Sequence, residues 1–347
     1  MADTAARHAR VAAAVERGVL EVLRSGHYVG GPLVAELEQR VAALFGWGYG
    51  ATANSGTDAL VYALLSIGVG HGDEVIVPAV TFFATAGAVA RVGAVPIVAD
   101  VLPDRPLLDD ERLPVGARTR AVIAVHLYGA SCPVRTTLPV VDDLAQCAGA
   151  TPPPGNGTVG AVSFYPTKTL GAAGDAGMVL THSPETQRAL HRLTHHGMPS
   201  PNVHERIRGA IGANSRTDTI QAAVLLAHLD DLPARVATRR LYAGVYDREL
   251  PRWVARLPRE TGHPVHQYVV RVPDRERLRA HLLARGVESA VYYPIPLSRQ
   301  PALSGIAHAP TPNAERFCAE TLALPVHECL SQGDVGQVIE ALRAFSP

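Results

Sequence analysis

Glu74–Val80 (EVIVPAV), Val95–Asp100 (VPIVAD), Ala121–Gly129 (AVIAVHLYG) and Leu138–Asp143 (LPVVDD) are short β-branched runs with almost no polar residue alternating into them. Ala161–Pro166 (AVSFYP) and Met178–His182 (MVLTH) continue the series, with helical segments between. A strand with one wet face alternates; runs like these read as strands buried on both faces, the pattern of a mostly parallel sheet sandwiched by helices. Residues from about 50 to 185 therefore predict an α/β layer structure. Upstream, Met1–Gly26 reads as a charged amphipathic helix. Downstream, two helices are expected at Thr217–Leu229 and Ala234–Leu250, the second starting just after Pro233. Then come His266–Val272 (HQYVVRV), a charged helix over Asp274–Gly286, Ser289–Pro296 (SAVYYPIP) and a final helix from about Gly333 to Phe345, which together predict a smaller α+β unit. The expected division is 1–233 and 234–347. The Pro- and Gly-rich Thr151–Gly157 (TPPPGNG) reads as a surface loop inside the larger unit, because strand-like sequence resumes directly after it.

With 347 residues, 47% hydrophobic and 18% charged, the chain can bury a large core, which excludes a disordered or fibrous protein. Lysines and arginines number 32 and acidic residues 32, so no net field draws the molecule to nucleic acid or an anionic membrane. No apolar run reaches the ~20 residues that span a bilayer, and the N-terminal helix lacks the apolar core of a signal peptide. Cys132, Cys147, Cys318 and Cys329 stand in no metal-type spacing, which fits a reducing compartment, so the reading is cytoplasmic. Among 15 histidines, the pairs His195 with His196 and His263 with His266 lack a cluster of further ligands, and no metal site is expected.

Three stretches carry chemistry. Ser163–Gly177 (SFYPTKTLGAAGDAG) sets Lys168 between an apolar strand and a loop with three glycines. Desolvation makes a lysine amine nucleophilic, and glycines let a bulky planar cofactor approach the backbone. Taken alone, Lys168 reads equally well as an exposed loop charge. Ser55–Leu60 (SGTDAL) opens a helix after a small-residue strand, where free amides, the helix dipole and the Thr57 hydroxyl form a phosphate cradle. An ordinary N-cap is the alternative there. Val140–Gln146 (VVDDLAQ) ends a strand with two carboxylates, at the sheet edge where α/β ligands gather, and a carboxylate there can keep a pyridine nitrogen protonated. Metal chelation is the rival reading, but adjacent strand residues point to opposite faces. His126, Tyr165 and Tyr293 sit in apolar runs, readable as substrate-side or as core side chains.

In combination these stretches resemble the DegT/DnrJ/EryC1/StrS aminotransferases of nucleotide-sugar and antibiotic-sugar biosynthesis. The likeness covers nearly the whole chain: Tyr28–Pro32 (YVGGP), SGTDAL, Gly72–Val89 (GDEVIVPAVTFFATAGAV), VHLYG, DDLAQCAGA, SFYPTKTLGAAGDAGM, Gly212–Leu225 (GANSRTDTIQAAVL) and Val291–Leu303 (VYYPIPLSRQPAL). It implies a fold-type-I enzyme dependent on pyridoxal 5'-phosphate (PLP), with pyridoxamine 5'-phosphate (PMP) as its alternate form. By the same resemblance Lys168 carries the cofactor as a Schiff base and later moves the proton, and Asp143 binds the pyridinium nitrogen. Gln146 lies by the ring, Phe82 stacks on it, and Gly56, Thr57 and Ser163 hold the phosphate. Asn214 would reach the phosphate from a neighbouring subunit, giving a homodimer with composite sites, and Arg216 would meet the donor's carboxylate or form an interface ion pair. Tyr165, Tyr292 and Tyr293 are the substrate-side candidates.

The implied reaction moves an amino group from an amino acid, L-glutamate first, to a keto sugar, a nucleotide-linked 3-keto-6-deoxyhexose first. A cyclitol or other secondary-metabolite ketone is the nearer rival acceptor, and a non-catalytic or regulatory relative the more distant reading. A dehydratase of the same fold would carry histidine in place of Lys168. Several positions depart from the family pattern. Thr169 replaces a usual asparagine and Leu144 a small residue, Ala130–Val140 lacks the usual helix, and Tyr292 and Ser298 stand where histidines are common.

Overall fold

In the computed structural model, which describes residues 3–347, the apolar runs become strands of one seven-stranded sheet. In chain order they are β1 (Tyr49–Ala53), β2 (Glu74–Pro78), β3 (Val95–Ala99), β4 (Thr119–Val125), β5 (Val140–Asp143), β6 (Val159–Ser163) and β7 (Gly177–Thr181). They lie in the order β1-β7-β6-β5-β4-β2-β3, parallel from β3 to β6, with β7 antiparallel to both its neighbours. The missing polar alternation has the expected cause. Val159 and Ala161 of β6 and Val179 of β7 join a core on one face, while Val162, Met178 and Leu180 join a second core on the other. The helices Gly56–Ser66 and Ala84–Arg91 cover the first face; Pro32–Leu44 and Thr219–Glu249 cover the second. As expected, Thr151–Gly157 is a loop, and no helix stands between β4 and β5 apart from one short 3-10 turn at Leu127–Gly129.

Two expectations are corrected. Thr217–Leu229 and Ala234–Leu250 are not separate helices: one 31-residue helix, Thr219–Glu249, runs through Pro233. Pro233 is exposed, so its ring meets solvent, and buried Leu229, Leu232, Arg235 and Val236 hold the helix on either side of the lost amide. The helix spans the expected 233/234 boundary, contributing Val236 to the second core and Tyr242 and Tyr246 to a third. At the N-terminus the single expected helix is two, Thr4–Ala9 and Ala12–Ser25, broken where Val11 leaves helical geometry.

The third core belongs to the C-terminal α+β part. Its strands β8 (Ala255–Arg256), β9 (Tyr268–Arg271) and β10 (Thr321–Leu324) pair antiparallel in the order β10-β9-β8. Tyr268 and Val270 face this core with the helices Arg275–Leu283 and Gln332–Arg343, whereas Val269 and Ala323 turn the other way and join the first core of the large sheet. Two residues of the small sheet thus share a core with the large one, and the segment leading into β9 reaches the site. No helix among the described residues is long and apolar enough to cross a membrane.

Candidate active site

The carboxyl ends of β4, β5 and β6 and the loop after β2 open into a cavity of about 580 Å³. One end of it is the start of the helix Gly56–Ser66. Ser55 caps that helix, its hydroxyl accepting from the Asp58 amide at 3.1 Å. First-turn amides have no carbonyl within their helix, so those of Gly56 and Thr57 are left for an anion at the positive end of the dipole. Gly56 has a steric reason to be glycine: a Cβ there would lie 2.4 Å from Ser163 Cβ and 2.8 Å from its Oγ. Without that Cβ the Ser163 hydroxyl, at the end of β6, can sit beside the same amides.

Asp143, at the end of β5, is 8% exposed. Its Oδ1 accepts from the Ala145 amide at 3.2 Å and its Oδ2 from the Thr85 hydroxyl at 3.3 Å. Burial pushes this carboxyl above its usual range, partly countered by the Ala145 amide and by the charge of Lys168. Asp142 points to the opposite face, where His126 Nε2 lies 3.1 Å from Oδ1 and the Gly157 amide donates to Oδ2 at 2.8 Å. The two carboxylates therefore diverge. His126 borders the cavity, but its Nδ1 accepts from the Cys132 amide at 3.1 Å, so the ring proton sits on Nε2 and is donated to Asp142. Both nitrogens are engaged within the protein.

Lys168 follows β6, its amide donating to the Tyr165 carbonyl at 2.8 Å and its amine reaching the cavity. Burial holds the amine below its ordinary value, against the pull of Asp143. It is also the chain's sole lysine, every other position in the Lys-plus-Arg count being arginine. Arginine keeps its proton, whereas a lysine amine can lose it, so the single lysine stands where a releasable proton is useful.

The remaining wall is aromatic. Gln146 accepts from the Tyr128 amide at 2.5 Å, and the Tyr128 hydroxyl donates to the Tyr292 carbonyl. Tyr128 holds φ +62°, a conformation that bulky side chains rarely take, fixed by both bonds. Phe82, 59% exposed, tilts toward Tyr293 with ring centroids 6.1 Å apart, and Tyr165 and Tyr292 complete this side. Ser298 does not reach the cavity; its hydroxyl pairs with Thr311 at 2.7 Å.

Asn214 and Arg216 lie elsewhere. Asn214 is exposed and bridged to His195, while Arg216 contacts His195 Nδ1 and borders a separate hollow of about 410 Å³ beside Gly30 and Gly31. Several polar cavity residues were not singled out in the sequence: Thr81, Thr85, Thr167, Asp175, His266 and Gln267. Thr85 falls one turn beyond Phe82 and was within reach of helical spacing. His266, whose Nδ1 lies 3.2 Å from the Thr169 hydroxyl, and Gln267 come from the small sheet and carried no local signal. The sole lysine was a signal left unused.

An anion cradle, a buried carboxylate and a desolvated amine around one cavity suit a planar molecule with a phosphate at one end, a ring nitrogen at the other and a carbonyl between. Known proteins of this kind exist. The family model of the DegT/DnrJ/EryC1/StrS aminotransferases matches residues 11–343. The UDP-2-acetamido-2-deoxy-3-oxo-D-glucuronate aminotransferase of Pseudomonas aeruginosa is 36% identical over 98% of both chains. The dTDP-3-amino-3,4,6-trideoxy-alpha-D-glucose transaminase of Streptomyces venezuelae is 36% identical over 99% of this chain and 95% of its own. Among solved structures, S. venezuelae DesV superposes with a TM-score of 0.91 at 34% identity, covering 98% of this chain and 96% of DesV. NtdA of Bacillus subtilis, solved with bound PMP, gives 0.87 at 25% identity, over 96% of this chain and 81% of NtdA. The chain belongs to the DegT/DnrJ/EryC1/StrS aminotransferase family.

Proposed function

We propose that this aminotransferase uses PLP to move an amino group from an amino acid, L-glutamate first, to a nucleotide-linked 3-keto sugar. The observation that carries this is the meeting of Lys168, Asp143 and the Gly56–Thr57–Ser163 cradle in one cavity. When bound, PLP would supply an aldehyde for the Lys168 amine and a pyridine ring that draws electrons from the carbon being deprotonated. The chain's residues do the rest. Gly56, Thr57 and Ser163 would hold the phosphate, the Asp143 carboxylate would keep a proton on the ring nitrogen, and Phe82 and Gln146 would contact the ring. Lys168, with its amine free, would be the base and acid that carries the proton. Tyr165, Tyr292 and Tyr293 border the acceptor. Lys168 is the one lysine or arginine lining the cavity among the described residues, which favours a sugar without a carboxylate at its reacting end, as in a 6-deoxyhexose. We assign Asn214 and Arg216 to the site of a partner subunit in a homodimer, phosphate and donor carboxylate being their ligands. Four free cysteines, three of them buried, support the cytoplasm as its compartment.

The test is direct. Protein loaded with PLP should lose its visible band on addition of glutamate, release 2-oxoglutarate, and then aminate members of a panel of 3-keto and 4-keto nucleotide sugars and cyclitol ketones. Lys168→Ala should abolish turnover. Wild-type turnover in that variant, or a protein that binds no PLP, defeats the proposal; amination of cyclitol ketones alone would replace the acceptor.

A further inference from the structure

The lysine loop is tied to the first helix of the chain. Arg7, on Thr4–Ala9, is 2% exposed, although arginine is a surface residue by default. Its Nη1 donates to the carbonyls of Pro166 at 2.9 Å and Lys168 at 2.7 Å, and its Nε donates to Glu328 Oε1 at 2.6 Å. Nη2 has no partner among the described residues, so burying this guanidinium carries a desolvation cost that only those three contacts offset.

Glu328 also faces the other way. Its Oε2 accepts from Arg239 Nε at 2.9 Å, and Arg239 Nη1 donates to the carbonyls of Val265 at 3.2 Å, His266 at 3.1 Å and Val326 at 3.0 Å. Burial works to raise the Glu328 carboxyl, but Arg239 and Arg7 outweigh it and bring it to about 2, so the carboxylate is ionised at neutral pH. Val265 holds φ +53°, rarely tolerated by a β-branched residue, with its amide on His263 Nδ1 at 3.0 Å and its carbonyl on Arg239. One carboxylate thus joins two neighbouring parts of the cavity wall, the lysine loop and the left-handed segment that delivers His266 and Gln267.

We propose that Arg7 is a positioning residue for Lys168, and that the Arg7–Glu328–Arg239 triad fixes the lysine loop against the Val265–Gln267 wall. With its amide on Tyr165 and its carbonyl on Arg7, the Lys168 backbone has both polar groups held, and only side-chain torsions remain to place the amine. Stability is a poor reason for such a triad, since a buried ion pair gains little over apolar packing of the same volume. Geometry is a good one: a planar fork reaches one carboxylate and two carbonyls at once, which an ammonium does not. This inference rests on Lys168 being the amine that captures PLP.

Arg7→Gln and Arg7→Lys, prepared free of cofactor, separate the roles. Capture of PLP, followed by absorbance and by borohydride trapping on Lys168, reads the placing of the amine. PMP binding reads the phosphate and ring contacts alone, because PMP carries no aldehyde. R7Q should capture PLP at least about tenfold more slowly while its PMP affinity stays within about threefold of wild type, since small displacements of a reacting group cost rate steeply. R7K, which keeps the charge facing Glu328, should fall between. The inference is overturned if R7Q captures PLP at the wild-type rate, if PMP affinity falls in step with capture, or if neither variant folds. A wild-type protein that never captures PLP would instead defeat the proposed function itself.

Discussion

At the scale of single residues, Asp143 and Lys168 hold each other in check. Burial drives the carboxyl up and the amine down, and the charge of each opposes the shift of the other. Asp143→Asn keeps the shape and removes the charge. In the cofactor-free variant the Lys168 ammonium loses its main counter-charge, so desolvation meets less opposition and the amine should titrate at lower pH than in wild type. An amine-specific acylating reagent reads this cleanly, because only the α-amino group competes with the sole lysine. Turnover should move the other way, falling on the order of a hundredfold or more, because an amide cannot hold a proton on a pyridine nitrogen. Unchanged titration together with unchanged turnover would remove Asp143 from both roles. Asp143 was legible in the sequence because it ends a strand, and strand ends show in the apolar pattern; Lys168 was legible because a glycine-rich loop follows it. His266 was not, since its place depends on Val265 taking a left-handed conformation that no periodicity encodes.

At the scale of elements, the decisive contact is the helix Gly56–Ser66 against β6. Exchanging glycine for alanine where the backbone allows it gains about 0.4–1 kcal/mol by restricting the unfolded chain. Here the new Cβ would meet Ser163 Cβ at 2.4 Å, and overpacking of that kind costs about 1–3 kcal/mol. The clash wins, so Gly56→Ala should lower stability in urea. By pushing the helix start away from Ser163, it should also weaken PMP binding by about tenfold or more, each 1.4 kcal/mol of lost phosphate contact being a factor of ten. Stable G56A protein with wild-type PMP affinity would argue against the cradle. SGTDAL showed a helix start but left cap and cradle open; Ser55 is the cap, and the closeness to Ser163 that supports a cradle beside it exists only after folding. Pro233 teaches the converse. Its local cue for a helix break was sound, yet flanking residues buried in the core, Leu232 and Val236 among them, overrode it.

At the scale of the whole molecule, the cavity of one chain lacks two of the residues expected in it. Asn214 is exposed, and Arg216 borders the second hollow with Gly30 and Gly31, so neither reaches the cavity of its own chain, and the proposed dimer would bring them to a partner's. The role proposed for them rests on family likeness alone, because a residue acting in a neighbour's site would leave no trace in its own chain's contacts. Complementation tests the arrangement. Lys168→Ala and Asn214→Ala protomers should each form dimers with little activity, the first without its amine and the second without a phosphate contact in its partner. Unfolded and refolded together, half of the dimers are mixed, and each mixed dimer pairs an intact Lys168 with an intact Asn214 in one of its two sites. Activity should return to about a quarter of wild type, as random pairing in a two-fold dimer requires. If Asn214 instead served its own chain's cavity, every site in the mixture would carry one lesion or the other, and mixing would restore nothing.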